Sequence, residues 1–85
     1  MIQIIVAVRD SAADTFGRPF FVPSAAVGIR SFTDEVNRPD EQNSFYKHAK
    51  DFALFEIGQY DDSTAQIVVH PQPKLLINAD QCVSK

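Results

Sequence analysis

The stretch that decides the fold is DFALFEIGQYDDSTAQIVV, residues 51–69. Two runs rich in β-forming residues, 52–59 and 65–69, flank the polar tetrad 61–64, and this pattern predicts a β-hairpin. Side chains alternate across a strand, so both faces of the first run are apolar, which is typical of a strand inside its sheet. One face would carry Ala53, Phe55 and Ile57, and the other would carry Phe52, Leu54 and Glu56. Gly58 interrupts this run, and its missing Cβ suits a β-bulge or the close approach of another backbone.

The amino-terminal third of the chain predicts two further strands. Residues 2–8 are mostly β-branched and apolar on both faces, which indicates a central strand. Residues 10–17 are small and polar, so we expect a connecting loop there. Residues 18–23 form a short extended piece, and Pro19 and Pro23 restrict it to an edge because proline cannot donate to a β-ladder.

The clearest helix of the sequence covers residues 24–36. Ser24 is a favourable N-cap, and its hydroxyl can accept a hydrogen bond from the first turn. Four apolar residues recur on one helical face: Ala25, Ile29, Phe32 and Val36. Asn37 and Pro39 are expected to end the helix, with Asn37 able to adopt the left-handed C′ conformation.

The carboxyl-terminal part of the chain is less regular. Residues 45–48 are expected to form a single turn that brings two aromatic side chains toward the core. Residues 70–73, His-Pro-Gln-Pro, indicate a rigid extended linker. Residues 75–83 fit either a short strand or a last helix. The sequence therefore predicts one α+β domain over residues 1–85, with a small antiparallel sheet of three to four strands and one main helix packed on a face.

Composition excludes several classes of protein. The chain has 85 residues, a formal net charge of −3 and a single cysteine, Cys82. A negative net charge argues against bulk electrostatic condensation of nucleic acid, because that affinity depends on Lys and Arg displacing counterions. Cys82 cannot form an intramolecular disulfide and, with only His48 and His70, offers no zinc-site spacing. The lack of a disulfide fits a reduced, cytoplasmic setting. The apolar amino terminus is too short for a membrane span and lacks a basic n-region, so we expect no membrane association.

Catalytic patterns are also missing from the sequence. There is no phosphate-binding Gly-rich loop, nucleophile elbow or dinucleotide fingerprint, so we predict neither an enzyme nor a cofactor. His48 and Asp51 could form an acid–base pair, but a loop-stabilising hydrogen bond is the commoner arrangement. Asp61 and Asp62 resemble part of an acidic metal loop, yet they lack the glycine and distal glutamate of a calcium site. A turn stabilised by side-chain to backbone hydrogen bonds is expected there instead.

Aromatic and basic residues supply the candidate binding site. Exposed aromatic rings can stack on unpaired bases while Arg or Lys contacts the phosphates, although most rings in a small protein belong to its core. We predict a nucleic-acid-binding surface formed by Arg18, Arg30, Tyr46, Lys47 and Lys50. The alternative interpretation is an ordinary solvent-exposed surface of mixed charge with no binding role, because acidic residues are interleaved with these cations.

The chain resembles the small non-structural protein of the gokushoviruses, single-stranded DNA microviruses that infect bacteria. The resemblance covers about three quarters of the chain and is most specific over residues 46–62, YKHAKDFALFEIGQYDD. It also rests on Val8-Arg9-Asp10-Ser11, on Pro19-Phe20-Phe21 and on Arg30, Phe32, Asp34 and Val36-Asn37. Ala49 replaces an expected proline and Ala65 an expected turn glycine, so the geometry of that loop and turn can differ from relatives.

The resemblance implies a non-enzymatic viral protein of the host cytoplasm that binds single-stranded DNA during genome replication or packaging. The alternative is a homo-oligomeric interaction or adaptor module that acts on viral replication or capsid proteins without contacting DNA.

The two faces of the sheet supply one more expectation. If the helix covers one face through Ile29, Phe32 and Val36, the other apolar face needs the carboxyl-terminal segment, another copy or a ligand. We expect another copy, and therefore a dimer.

Overall fold

Five strands form one antiparallel sheet in the computed structural model, which describes residues 1–84. The strands are β1 (Ile2–Asp10), β2 (Thr15–Phe16), β3 (Phe20–Val22), β4 (Phe52–Asp61) and β5 (Gln66–Asn78). The helices are α1 (Ala25–Val36) and α2 (Ser44–Lys47), and single 3₁₀ turns occupy Ala49–Asp51 and Ala79–Gln81. The architecture is therefore α+β, as the sequence predicts, with α1 as the main helix. The sheet has five strands and not the expected three to four, because Thr15–Phe16 forms the additional strand β2.

The sheet follows the order β2-β1-β4-β5, and β3 also pairs with β1. Because β4 occupies one side of β1 along its whole length, β2 and β3 follow one another along the opposite side. The sheet is thus four strands wide, with β1 and β4 in its centre. The predicted edge position of residues 20–22 is confirmed. The expectation of a plain loop over residues 10–17 is wrong, because the chain turns back sharply and Thr15–Phe16 pairs with the end of β1.

The hairpin of β4 and β5 forms around the acidic turn. The side chain of Asp61 accepts a hydrogen bond from the backbone N–H of Ser63 at 2.9 Å, and Thr64 Oγ1 accepts one from Gln66 at 3.3 Å. These bonds confirm the expected turn chemistry. Ala65 adopts a left-handed φ of 62°, the conformation that a turn glycine would adopt more easily.

Gly58 lies where β4 is irregular on both sides. The β1 register shifts between Ile5 and Val6, and the β5 register shifts between Glu56 and Gly58. A Cβ at position 58 would stand only 2.3 Å from the carbonyl oxygen of Val68. Both expectations for this glycine, a bulge and a close backbone approach, are confirmed.

The second hairpin strand is much longer than predicted. The sequence predicts that this strand ends at residue 69, but β5 continues through the His-Pro-Gln-Pro segment to Asn78. Glu56 pairs with Lys74 and Gly58 with Val69, so a wide bulge opposite Ile57 accommodates the extra residues. Pro71 and Pro73 are tolerated because β5 is an edge strand, where a missing N–H costs little.

The hydrophobic core lies between α1 and one face of the sheet. Ser24 caps α1 by accepting a hydrogen bond from the N–H of Val27 at 3.2 Å, as its position predicts. The buried cluster consists of Val6, Val22, Phe32, Val36, Leu54, Ala79 and Cys82, with Ile29 packed against it. The apolar helical face predicted from the sequence is therefore the face that α1 buries.

The end of α1 differs from its prediction. Asn37 is the C-cap, but its φ of −93° is not left-handed. Its side-chain amide instead donates hydrogen bonds to the carbonyls of Thr33 and Cys82, each at 2.9 Å. Asn37 thus attaches the carboxyl-terminal segment to α1.

Residues 75–83 combine the two structures that the sequence left open. They complete β5 and then form the turn Ala79–Gln81, which places Ala79 and Cys82 in the core beneath α1. This segment therefore does not cover the opposite face of the sheet.

The turn α2 brings one aromatic residue, not two, into the core. Phe45 packs edge-on between Phe32 and Phe52, with ring centroids 5.8 and 4.8 Å away. Tyr46 points outward and is 48% exposed.

Candidate functional site

The face of the sheet opposite α1 carries aromatic side chains from three strands, β2, β3 and β4. Cross-strand partners project to the same side, and Phe21 lies opposite Ile5 while Phe16 lies opposite Arg9. The alternate residues of β1, such as Val6, belong to the core beneath α1. We call the face bearing Phe16, Phe21, Phe55 and Tyr60 the open face.

The rings of the open face form two edge-to-face pairs. Phe16 meets Phe55 at a centroid distance of 5.4 Å, and Phe21 meets Tyr60 at 5.3 Å. Such pairs hold both rings in a fixed orientation. Phe16 remains 38% exposed and Phe21 49% exposed, so solvent reaches the outer ring of each pair.

Two cations border the first aromatic pair. The guanidinium of Arg9 lies 5.5 Å from the ring centroid of Phe16, a cation–π distance, and also forms an ion pair with Asp14. Lys50 belongs to an adjoining cleft of about 170 Å³, which Arg9 and Phe55 share. The other lining residues of this cleft are Ser11, Asp51, Phe52, Ala53 and Asn78. The cleft therefore joins positive charge to an aromatic surface, with Asp51 as the opposing carboxylate.

The structure distributes the five predicted binding residues over several surfaces. Lys50 reaches the cleft beside the open face, and Tyr46 and Lys47 lie on α2. Arg30 is exposed on α1, on the opposite side of the sheet from the open face. Arg18 lines a separate pocket that shares no lining residue with the cleft.

The pocket containing Arg18 is an apolar hollow of about 290 Å³ between α1 and the β2–β3 edge. It is lined by Val8, Gly17, Arg18, Phe20, Ser31, Phe32, Glu35 and Phe45. Next to it, Arg38 donates to Glu35 at 2.6 Å and to Asp40 at 2.7 Å. The hydrogen bond from Arg38 holds the pKa of Glu35 below its usual value. The pKa of Asp40 is lowered first by the N–H of Gln42 and then by Arg38.

Two pairs of polar residues, His48 with Asp51 and Glu56 with His70, are joined by hydrogen bonds. Asp51 meets His48 through a backbone hydrogen bond of 2.9 Å, and His48 does not line the cleft that contains Asp51. Glu56, only 9% exposed, lies 2.6 Å from Nε2 of His70 across the β5 bulge. Within residues 1–84 no cluster of His, Cys, Asp and Glu could hold a metal ion.

Sequence reasoning missed Arg9 and Phe16 as members of this surface. Phe55 and Tyr60 lie on the central strand β4, but their partners Phe16 and Phe21 lie far away in the chain. The sequence of β1 contained a usable signal, because Arg9 follows the apolar run of residues 4–8 on the same strand. Phe16 could not be assigned to a face without the register of β2.

The comparisons with known proteins identify a family. The family model described as Phage ORF5 protein matches residues 3–82. No curated protein and no solved structure matches the chain. No helix within residues 1–84 is both long enough and apolar enough to cross a membrane. The match spans nearly the whole chain and agrees with the resemblance to a microvirus small protein, and the chain therefore belongs to the Phage ORF5 protein family.

Proposed function

We propose that this phage protein is a non-enzymatic, non-structural microvirus protein that binds single-stranded DNA on its open face. It would act in the host cytoplasm during genome replication or packaging. The observation that carries the proposal is the two aromatic pairs, Phe16–Phe55 and Phe21–Tyr60, beside the cations Arg9 and Lys50. Aromatic rings flanked by cations bind single strands by stacking on bases and attracting phosphates.

The spacing of the two pairs suits a single strand better than a duplex. Phe16 lies opposite Arg9 and Phe21 opposite Ile5, four residues apart on β1. At roughly 3.3 Å per residue, the two stacking points are about 13 Å apart. Bases that leave their own stack can reach both points, whereas paired bases present no free ring face. We therefore expect a binding site of several nucleotides with little sequence preference.

The charge of the surface limits the electrostatic part of binding. Arg9 and Lys50 give two cations at this surface in a chain of net charge −3. For single strands, the slope of log K against log salt is roughly −0.7 per phosphate neutralised, which gives about −1.4 here. Stacking would then supply most of the affinity.

Neighbouring phenylalanines provide a matched test. Phe20 and Phe21 are both exposed, but Phe20 lines the α1-side pocket and Phe21 lies on the open face. Fluorescence anisotropy with a labelled oligothymidine should show that Phe21→Leu weakens binding by about 5- to 150-fold, the range for one lost base stack. Phe20→Leu should bind like the wild type.

Charge and site variants complete the test. Lys50→Gln should reduce the salt slope by about 0.7, because one phosphate contact is lost. Tyr46→Leu tests whether DNA binds to a surface centred on α2 and not to the open face. If Tyr46→Leu weakens binding and Phe21→Leu does not, the open face is the wrong site. If the wild type does not bind at low salt, the direct-contact proposal fails.

A second candidate function is an interaction module in which the open face contacts another protein. Its support is the exposed apolar area, since Phe21, Val69 and Leu75 are 49%, 69% and 49% exposed. The partner would be a second copy, as expected from the two apolar sheet faces, or a viral replication or capsid protein. Under this alternative, Phe21→Leu would reduce self-association or capture of that partner, and DNA affinity would be absent in every variant.

A further inference from the structure

The two edges of the sheet are protected very differently. The β2–β3 edge consists of two short strands interrupted by Arg18-Pro19 and followed by Pro23. The β5 edge is 13 residues long and, within residues 1–84, pairs only with β4. Natural sheets protect such edges with proline, charge or bulges. In β5 these devices, Pro71, Pro73 and Lys74, all lie beyond residue 70.

The first part of β5 is an unprotected edge. Gln66–Val69 contains no charge and no proline, and its backbone groups on the outer side have no strand beside them. Ile67, Val68 and Val69 are 56%, 62% and 69% exposed, although successive residues project to opposite faces. The segment is therefore apolar on both faces and open along its hydrogen-bonding side.

We propose that residues 66–69 pair in antiparallel fashion with the same residues of a second copy of this chain. The unpaired backbone N–H and C=O groups of an edge strand can pair with another strand, and apolar side chains on both faces favour a partner strand that is uncharged on both faces. Residues 66–69 of a second copy have both properties. Antiparallel pairing also directs the half of β5 bearing Lys74 toward the acidic turn, Asp61 and Asp62, of the other copy. Both carboxylates already lie beside the Met1 ammonium, at 3.9 and 2.7 Å, so the apolar segment and not this attraction carries the pairing.

Symmetry restricts the register of this pairing. Hydrogen-bonded and non-hydrogen-bonded residue pairs alternate along an antiparallel ladder. A two-fold axis that relates two identical strands must pass midway through one such pair, so one residue lies opposite the same residue of the other copy. Within the uncharged segment that residue is Ile67 or Val68. Cross-strand partners project to the same side, so the open faces of the two copies would lie on the same side of one continuous sheet. The inference does not depend on DNA binding by either face.

A charge placed on the edge provides the test. Sedimentation velocity from about 5 to 500 µM should show the wild type passing from 9.5 kDa toward twice that mass, as a small interface predicts. Val68→Lys places like charges directly opposite each other if the axis is at Val68, or diagonally opposite if it is at Ile67, and should raise the dimer dissociation constant at least about tenfold. Val83→Lys is the matched control, because Val83 is also exposed but lies outside the edge. It should dimerise like the wild type.

Hydrogen exchange and cysteine cross-linking test the pairing directly, and circular dichroism checks that the lysine variant is folded. Amide hydrogen exchange at residues 67–69 should slow as protein concentration rises, while circular dichroism shows that Val68→Lys remains folded. With Cys82 replaced by alanine, either Ile67→Cys or Val68→Cys should form an intermolecular disulfide readily, and Gln72→Cys should not. A wild type that stays monomeric throughout overturns the inference. So does a Val68→Lys variant that dimerises normally, or a dimer that Phe21→Leu abolishes and Val68→Lys does not.

Discussion

Replacing Gly58 with alanine places a methyl group against the backbone of β5. The new Cβ would lie 2.3 Å from the carbonyl oxygen of Val68 and 3.1 Å from the Cα of Val69. Gly58 has no positive φ, so alanine can adopt its backbone conformation and the clash is the main effect. Backbone atoms cannot rotate away as a flexible side chain can. Ordinary contact begins near 3.4 Å, so the two strands must separate by about 1 Å.

The cost of this separation can be worked out from its two parts. Overpacking a tightly packed site costs about 1–3 kcal/mol. Weakening an adjoining ladder hydrogen bond costs about 0.5–1.5 kcal/mol more. We therefore expect Gly58→Ala to lower the free energy of unfolding by about 3 kcal/mol. For a domain of this size, each kcal/mol shifts Tm by roughly 4–8 °C, so Tm should fall by about 12–24 °C.

Thermal and urea unfolding followed by far-ultraviolet circular dichroism would measure this change. Gly17→Ala is the matched control, because its Cβ would meet only the carbonyl oxygen of Val8 at 3.5 Å, an ordinary contact. Its free energy of unfolding should stay within about 0.5 kcal/mol of the wild type, as for other unstrained surface changes. If Gly58→Ala is as stable as this control, the close approach of β5 to Gly58 does not constrain the hairpin.

Two further predictions concern the core and the charges beside α1. Leu54→Ala should cost about 2–5 kcal/mol in chemical unfolding, because Leu54 is 0% exposed and its removal leaves a cavity; a loss below 1 kcal/mol would contradict its central position. Arg38→Gln should raise the pKa of Glu35, and that of Asp40 to a smaller extent because Gln42 still donates to it, as measured by NMR titration. Since both folded-state pKa values are lowered, the stability that Arg38 contributes is present above the unfolded-state pKa values and is lost as pH falls through the folded-state values. An unchanged Glu35 titration would show that the Arg38 contact does not persist in solution.

Local patterns predicted those parts of the fold that local chemistry determines. The Ser24 cap and the apolar recurrence through Phe32 and Val36 predicted α1, and Gly58 marked the bulge. The length of β5 was missed because Pro71 and Pro73 normally interrupt strands. Both prolines are tolerated because β5 is an edge strand with a wide bulge, but these two features depend on how β5 pairs with β4. Asn37 was assigned a cap conformation from its residue type, whereas its contact with Cys82 determines its actual role.

The candidate site was less predictable than the fold. The sequence grouped cations by their nearness along the chain, and the sheet separates Arg18 and Arg30 from Lys50. The aromatic pairs join residues that are distant in sequence, such as Phe16 and Phe55, through the registers of β2 and β4 on β1. Alternation assigns Phe55 to a face, but only the three-dimensional pairing shows which rings meet there.

The attachment of the carboxyl-terminal segment beneath α1 has a consequence for synthesis on the ribosome. Ala79 and Cys82 are part of the core, and β1 finds its long partner only when residues 52–61 have emerged. A nascent chain that ends before residue 79 has the helix and most of the sheet but leaves their shared apolar surface partly uncovered. Elongation from residue 61 to residue 79 adds 18 residues, which takes about 1–4 seconds at roughly 5–20 residues per second. The core of this domain is therefore completed only after residue 82 has emerged, and chains that end earlier are exposed to chaperones and proteases.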